Sequence, residues 1–548
     1  MKEEILKFFR GVADDRPETL DKYSKDASIF EVRPKLVLYP LDSDDVVNLV
    51  EWVSKNKEKY PDLSITARCA GTDMSGGAIG ESIVLDFTKY MNKLVSFSGD
   101  EITVEPGMLY RDFEEITLKR GLILPTYTAS KSLNAMGGMF GNNAAGEKTL
   151  KYGKTEKFIV RTKVVFADGS ERTVEAFPLA ELASKDEIYK KIYSLIKANE
   201  EEIRLAKPDV HKNSAGYYLW NVMRDNVFDL NRLLVGSQGT LGIATEITFK
   251  LVPIEKYSKL VVIFMRDLEP LGRLVGEILE SKPETLEAYD DKTLWLAVRF
   301  FREFLKKKTL VEAFKFFKVF LPEFLMVLRG GFPKLVVLAE FSGTSERETD
   351  DKCRAMTKNI ANFKMKIHIT KDRDEAEKFW SIRRESFNLL RKHIKGKRTA
   401  PFVDDIIVRP EFLSKFLPEL NQILGKYKLV YTIAGHAGDG NFHVIPLMDF
   451  SRPDVPEIIH SLSEEVYDLV LRYHGSITAE HNDGLIRTPF LKKMFGERMI
   501  GIFRDVKSIF DPKNILNPGK KVPVPGGPGT KEYITSHIAL EHPGNHGI

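Results

Sequence analysis

Three glycine-dense turns constrain this chain more than any other feature. They are ARCAGTDMSGGAIG at 67–80, MGGMFGNNAAG at 136–146 and GSQGTLG at 236–242. Between Arg68 and Ala78, Gly71, Gly76 and Gly77 alternate with Thr72, Asp73 and Ser75. Successive backbone N–H groups in such a turn form a concave anion site, and the missing side chains admit a pyrophosphate. The spacing is not G-x-G-x-x-G, so a nicotinamide-binding Rossmann unit is not indicated. Any one turn alone also reads as a plain glycine connection. Three in one region predict a domain that closes around a large, flat or phosphorylated ligand with its backbone.

The flanking texture is α+β. A strand is expected at Leu36–Tyr39, then a helix with Ser43 as N-cap and Val46, Val47, Leu49, Val50 and Val53 on its buried stripe. After Pro253, strand-like runs at Lys259–Met265, Leu335–Phe341 and Lys366–Thr370 alternate with long helical segments, as in an α+β domain with an antiparallel sheet. The expected division is a helical lead-in at 1–30, a first domain at 31–255, a second at 256–500, a return segment at 501–525 and a flexible tail at 526–548. Residues 294–332, rich in phenylalanine and lysine, read as an amphipathic helical insertion with Leu310, Phe314, Phe317 and Leu321 at helical spacing. It is either core packing or a membrane-surface contact.

Lys+Arg 82 against Asp+Glu 78 leaves a net charge of +4 over 548 residues, which gives no reason to expect a nucleic-acid partner. Two cysteines, Cys69 and Cys353, exclude a four-thiolate iron–sulfur module and a disulfide-built fold. The N-terminus lacks the apolar core of a signal peptide, and no apolar run approaches the roughly 18 residues of a membrane span. The expected location is cytoplasmic.

ITARCAGTDMSGGA resembles the pyrophosphate loop of vanillyl-alcohol-oxidase-type flavoproteins. LPTYTASKSLNAMGGMFGNNAAGEKTLKYGKT and GSQGTLGIATEITFKL are similar to that family's second and third flavin segments, in the same order. The resemblance covers roughly residues 30–255 and implies FAD. It places Arg68, Cys69, Ala70, Gly71, Thr72, Asp73, Met74, Ser75, Gly76 and Gly77 around the pyrophosphate, with Ser130, Gly138, Asn142, Asn143 and Ile243 along the cofactor. Thr72 stands about where many relatives carry a flavin-linking histidine, which implies noncovalent FAD. Cys69 reads as a small buried side chain.

The densest chemical signal is AGHAGDGNFHVIP at 434–446. His436 and His443, seven apart, would face opposite ways on one continuous strand. The Gly438–Asn441 stretch instead reads as a turn able to bring both rings to one point. SITAEHNDGLIR follows with Glu480 and His481. Two histidines and a carboxylate form a three-ligand metal set with open positions; histidines beside glycine turns also cap backbone groups. HAGDGNFH and AEHNDG resemble paired motifs of the FAD-linked oxidase C-terminal domain, found in D-lactate, D-2-hydroxyglutarate and glycolate dehydrogenases. The resemblance implies His436, His443 and Glu480 as ligands of zinc or a similar divalent metal, and His481 as base. Asn482 departs from the usual glycine.

EKFWSIRRESF is similar to the stretch in which that family carries a substrate-binding arginine, Arg383 matching best and Arg384 second. A guanidinium suits a carboxylate. In APFVDDIIV the family's further lysine for a second carboxylate is replaced by about Val403, which favours a D-lactate-like monocarboxylate; Lys395, Lys397 or Arg398 could substitute. The implied activity is oxidation of a small D-2-hydroxy acid, with a quinone, a flavoprotein carrier or a cytochrome as electron acceptor. The alternatives are a flavin subunit of a larger redox complex, and an enzyme like alkylglycerone-phosphate synthase, which lacks the two-part metal motif.

Overall fold

The computed structural model describes residues 1–299, 333–393, 396–524 and 529–540. A small sheet opens the chain, in the order Val12–Asp14, Leu36–Tyr39, Ile83–Asp86, Ile65–Arg68, with the last three strands parallel. Central strand Ile83–Asp86 is buried along its whole length, as expected of a parallel strand covered on both faces. Helix Ser43–Asn56 packs Val46, Leu49, Val50 and Val53 into the same core. Its N-cap is Asp42, not Ser43: the Asp42 carboxylate accepts from the Asp45 N–H at 3.3 Å, and Ser43 is already helical.

An antiparallel five-stranded sheet follows, ordered Leu94–Ser98, Glu101–Val104, Ile243–Lys250, Ile159–Val165, Glu171–Glu175. The first glycine turn leaves strand Ile65–Arg68 and the third leads into Ile243–Lys250, so the two sheets bring the turns together. Side chains lock the junction. Asn142 Nδ2 donates to Asp73 at 2.9 Å, and Gln238 Nε2 donates to Ser75 Oγ at 3.1 Å.

The second half is built on a large antiparallel sheet. Its order is Lys366–Ile369, Tyr257–Met265, Leu335–Gly343, Thr285–Asp290, Val430–His436, Asn441–Met448, Arg398–Thr399, and Ile406–Ile407 also pairs with Asn441–Met448. Tyr257–Met265 and Leu335–Gly343 pair over nine residues, and alternation sends their side chains to two different cores. Val261, Ile263, Met265, Val337 and Ala339 face the main core with Leu274, Met356 and Leu420 of covering helices. Leu260, Val262, Phe264, Val336, Leu338 and Ala434 face Phe379 and Trp380 of helix Arg373–His393. This second face carries the site.

After helix Leu491–Phe510 the chain returns to the first domain. Leu516 bridges Ile65 in parallel, and Asn517 donates to the carbonyls of Gly77 and Gln238. The expected flexible tail is partly a helix, Thr530–His537, anchored by buried Ile534 and by hydrogen bonds joining His537 and Ala539 to Glu31 and Ile29. Residues 300–332, including Leu310, Phe314, Phe317 and Leu321, lie outside the described residues. Among the described residues no helix is long and apolar enough to cross a membrane.

Candidate functional site

One cleft of about 490 Å³ runs from the glycine turns to the large sheet, within the roughly 300–1,000 Å³ range of cofactor and ligand pockets. Arg68, Cys69, Ala70, Gly71, Thr72, Asp73, Met74 and Gly77 line it, with Ser130, Gly138, Asn142 and Ile243 further along. Gly138 has no atom within 4 Å of where a Cβ would stand, so its missing side chain leaves open space in the cleft. That space and the converging turns fit a long flavin cofactor. Three expected cofactor residues do not line the cleft. Ser75 is fully buried, its hydroxyl donating to Asp73 at 2.8 Å, and Gly76 packs behind the turn on Phe30 and Leu485. Asn143 is the left-handed cap of helix Met136–Asn142, and its amide oxygen accepts from the Glu156 N–H. Asp73 also accepts from the Ser75 and Gly77 N–H groups, so a side chain occupies part of the amide cradle expected for phosphate. The Cys69 thiol is pushed up to about 12 by burial and donates to the Pro106 carbonyl, as a packing cysteine does.

At the far end the hairpin Val430–His436/Asn441–Met448 sets Ala434 opposite His443 and His436 opposite Asn441. His436 and His443 are therefore diagonal neighbours on one face, with ring centroids 5.3 Å apart. The turn between them needs Gly440, whose φ is +78° and whose Cβ would strike the Val408 carbonyl.

Glu480 completes the cluster. Its Oε1 lies 3.2 Å from His436 Nε2, 3.2 Å from His443 Nε2 and 3.9 Å from His481 Nε2. His443 Nδ1 donates to the Asp404 carbonyl at 3.0 Å, which leaves Nε2 as a lone pair facing a carboxylate oxygen. Burial, the largest influence, lowers the proton affinity of His443, so in its neutral form two acceptors confront each other. Such a pair calls for a shared cation. His436 donates from Nδ1 to Glu287 Oε1 at 2.5 Å; burial, the largest single influence, opposes its charge, but Glu287 and Glu480 together raise its pKa to about 9. A proton on His436 Nε2 then stands where a metal would bind.

The loop carrying Glu480 is held by buried charge. Asp405 Oδ2 accepts from Thr478 Oγ1 and from the N–H groups of Ala479, Glu480 and His481, all at 2.6–2.8 Å. Its other oxygen accepts from Asn441 Nδ2 at 3.1 Å. Asp405, His443, Glu480 and His481 can each bring one ligand atom within 4.8 Å of the others. With both oxygens already serving as acceptors, Asp405 reads as the loop's anchor, and His436, 3.2 Å from Glu480 Oε1, stands with His481 as a candidate third ligand beside His443 and Glu480. Asp404 accepts from His481 Nδ1 at 2.6 Å and pairs through its other oxygen with the fully buried Arg487. Burial disfavours charge on His481, but Asp405 and Asp404 push its pKa up to about 9. Asn482 takes a φ of +70°, the region where glycine or asparagine is tolerated, and donates to the Gly236 carbonyl at 2.8 Å. The departure from glycine thus ties this loop to the third glycine turn.

Arg383 and Arg384 of helix Arg373–His393 both reach the cleft. Arg383 Nε donates to Glu287 Oε2 at 3.0 Å, and Arg384 donates to Glu147 at 2.7 Å. Val403 is fully buried and does not line the cleft, so its apolar character says nothing about substrate size. Neither Lys397 nor Arg398 lines it; the Arg398 guanidinium sits 3.7 Å over the Phe450 ring, and Lys395 lies outside the described residues.

Sequence reasoning missed Glu287, Lys212, Asp404, Asp405 and Arg487. Lys212 is completely buried and donates to Glu480 Oε2 at 3.0 Å. Only the Asp404–Asp405 pair, acids inside the apolar run PFVDDIIV, gave a local signal.

Residues 34–175 match the family model described as an FAD binding domain, and residues 254–521 match that of FAD linked oxidases, C-terminal domain. The chain thus carries an FAD binding domain followed by a C-terminal domain of the FAD linked oxidase type. It is 27% identical to D-2-hydroxyglutarate dehydrogenase of Escherichia coli (strain K12), over 92% of this chain and 49% of that protein. It is 25% identical to D-lactate dehydrogenase of Anaerostipes hadrus, over 94% of this chain and 97% of that protein. The chain spans about half the length of the first curated relatives it matches. Its fold is shared with p-cresol methylhydroxylase at a TM-score of 0.67 and 14% identity, covering 94% of this chain and 95% of that one.

Proposed function

We propose that this chain oxidises a small D-2-hydroxy acid to the 2-oxo acid with noncovalent FAD; D-lactate is the first candidate, by the likeness to the Anaerostipes hadrus D-lactate dehydrogenase that the chain matches over 97% of that protein's length. The single observation that carries the reading is the convergence of His436 Nε2 and His443 Nε2 on Glu480 Oε1 at the end of the flavin cleft. FAD, when bound, supplies the hydride acceptor. A divalent metal, zinc by its nitrogen-and-oxygen donor set, would be held by His436, His443 and Glu480 and would acidify the substrate hydroxyl.

The chain's own groups do the rest. Arg383, with Arg384 beside it, binds the substrate carboxylate and sets the Cα–H direction. His481 is anchored through Nδ1 on Asp404, so its Nε2 is the atom available to take the hydroxyl proton. A dication near Glu480 Oε1, itself 3.9 Å from His481 Nε2, would draw the His481 pKa down from about 9 into the range of a working base. Lys212 holds the second Glu480 oxygen and leaves Oε1 to the site.

The test is anaerobic bleaching of the flavin by a panel of D- and L-2-hydroxy acids, D-lactate and D-2-hydroxyglutarate among them. D-lactate is expected to bleach it fastest and the L-acids not at all. Faster bleaching by D-2-hydroxyglutarate would move the substrate to a dicarboxylate, with Arg384 as the second contact. A flavin that no 2-hydroxy acid bleaches would overturn the proposal.

A further inference from the structure

Glu287 is a carboxylate that no part of the proposed reaction uses, yet both of its oxygens are engaged at the site. It lies on strand Thr285–Asp290 in the middle of the large sheet and is 1% exposed. Oε1 accepts from His436 Nδ1 at 2.5 Å, and Oε2 accepts from Arg383 Nε at 3.0 Å. An isolated buried carboxylate costs several kcal/mol, on the order of what one good ion pair returns, so a side chain held between two cationic groups is positioned by both. The sheet register explains the arrangement. Ala288 pairs with Gly435 and Tyr289 with Ala434, which puts Glu287 next to His436 on the face that helix Arg373–His393 covers.

We infer that Glu287 is a positioning residue that joins metal binding to carboxylate binding, by fixing the His436 tautomer and the Arg383 orientation at once. The inference rests on the proposed function above. Against a carboxylate at 2.5 Å, His436 Nδ1 carries the proton, and Nε2 is therefore the nitrogen directed at Glu480 Oε1 and at a metal. A carboxylate behind a ligating imidazole also raises its basicity and fixes the ring plane. The Nε edge of Arg383, only 14% exposed as a side chain, is the edge Glu287 holds, which turns the guanidinium plane toward the cleft it lines. A purely packing role would require neither contact. Glutamine keeps the volume, but its NH₂ faces either the Arg383 Nε–H or the His436 Nδ1–H, and one of the two contacts is lost.

The experiment uses the full FAD-loaded chain, with zinc affinity read by competition with a chromophoric chelator. Propionate affinity is read separately from the flavin difference spectrum; propionate has the carboxylate and lacks the 2-hydroxyl. In Glu287→Gln the zinc dissociation constant is expected to rise about 10–100-fold, with FAD content unchanged. Propionate is expected to bind several-fold more weakly, on the order of one charge-assisted hydrogen bond. Arg383→Met separates the two halves and serves if the first variant does not fold. It keeps the Glu287–His436 contact, so zinc affinity stays within about twofold while propionate binding falls about tenfold or more. A folded Glu287→Gln with unchanged affinity for either ligand overturns the inference, as does an Arg383→Met that leaves propionate unaffected or weakens zinc as strongly as propionate. A wild-type chain that takes up no divalent metal refutes the metal reading and this inference with it. Wild-type zinc binding alongside an unaltered Glu287→Gln refutes the inference alone.

Discussion

Asp405→Asn removes one charge from the most heavily used carboxylate of the site. Asp405 Oδ2 accepts four hydrogen bonds at 2.6–2.8 Å, three of them from the consecutive backbone N–H groups of Ala479, Glu480 and His481. The amide oxygen of asparagine can still accept, but the bonds become neutral, and each loses about 1 kcal/mol of its charge-assisted strength. Allowing for non-additivity, the variant should be about 2–4 kcal/mol less stable in urea denaturation of the metal-free protein at neutral pH. Burial opposes ionisation of Asp405, but His481 and Arg487 among its neighbours hold its pKa below the ordinary range. A depressed carboxyl pKa gives stability that is present above the unfolded value and lost on acidification, so the difference between the two proteins should shrink as pH falls. The loop also presents Glu480, so zinc affinity should drop about tenfold or more, while FAD, bound at the other end of the cleft, remains stoichiometric. Stability within 0.5 kcal/mol of wild type, on the order of an ordinary surface substitution, together with unchanged zinc affinity would refute the anchoring role.

Metal binding should be proton-linked. His436 holds a proton up to about pH 9 and must release it from Nε2 to ligate, so zinc affinity should rise by up to about tenfold per pH unit from pH 6 and level off near pH 9; a flat profile by chelator competition counts against His436 as a ligand. Gly138→Val should place a side chain in open cleft space and give a folded protein whose absorbance spectrum shows little flavin; full FAD occupancy would show that the cofactor runs elsewhere. Asn482→Gly keeps the left-handed backbone and loses the bond to Gly236, so the melting temperature should change by the equivalent of about 1 kcal/mol or less, with zinc affinity retained. Lys212→Met leaves Glu480 Oε2 and Asp439 without their ammonium partner and should cost about 3–5 kcal/mol in denaturant unfolding; a neutral outcome would place the lysine outside the charge network.

The flavin half was legible because its glycines are contiguous: each turn is a local object, and local backbone requirements leave a local trace. Even there, a place inside the motif does not make a residue a cofactor contact: Asn143 caps a helix and Ser75 bonds to Asp73. The His436–His443 hairpin was readable for the same reason, as Gly440 marks the turn. The supporting charges were not. Glu287 is 149 residues from His436, and Lys212 is 268 from Glu480. No pattern in ETLEAYDD or HKNSAGYY announces a partner that only the tertiary fold brings near. At Val403 the reverse holds: the position is core, and the acids that follow it, Asp404 and Asp405, bond to the Glu480–His481 loop instead.

The metal's part in the reaction is tested most directly by stripping it from the FAD-loaded protein and following flavin reduction by D-lactate in anaerobic stopped flow, before and after one equivalent of zinc is returned. The metal-free protein should reduce its flavin at least about a hundredfold more slowly, as expected when a hydroxyl must lose its proton without a bound cation to acidify it, and zinc should restore the rate. Reduction at the full rate after verified removal of the metal would contradict the role of His436, His443 and Glu480 as ligands of a catalytic cation.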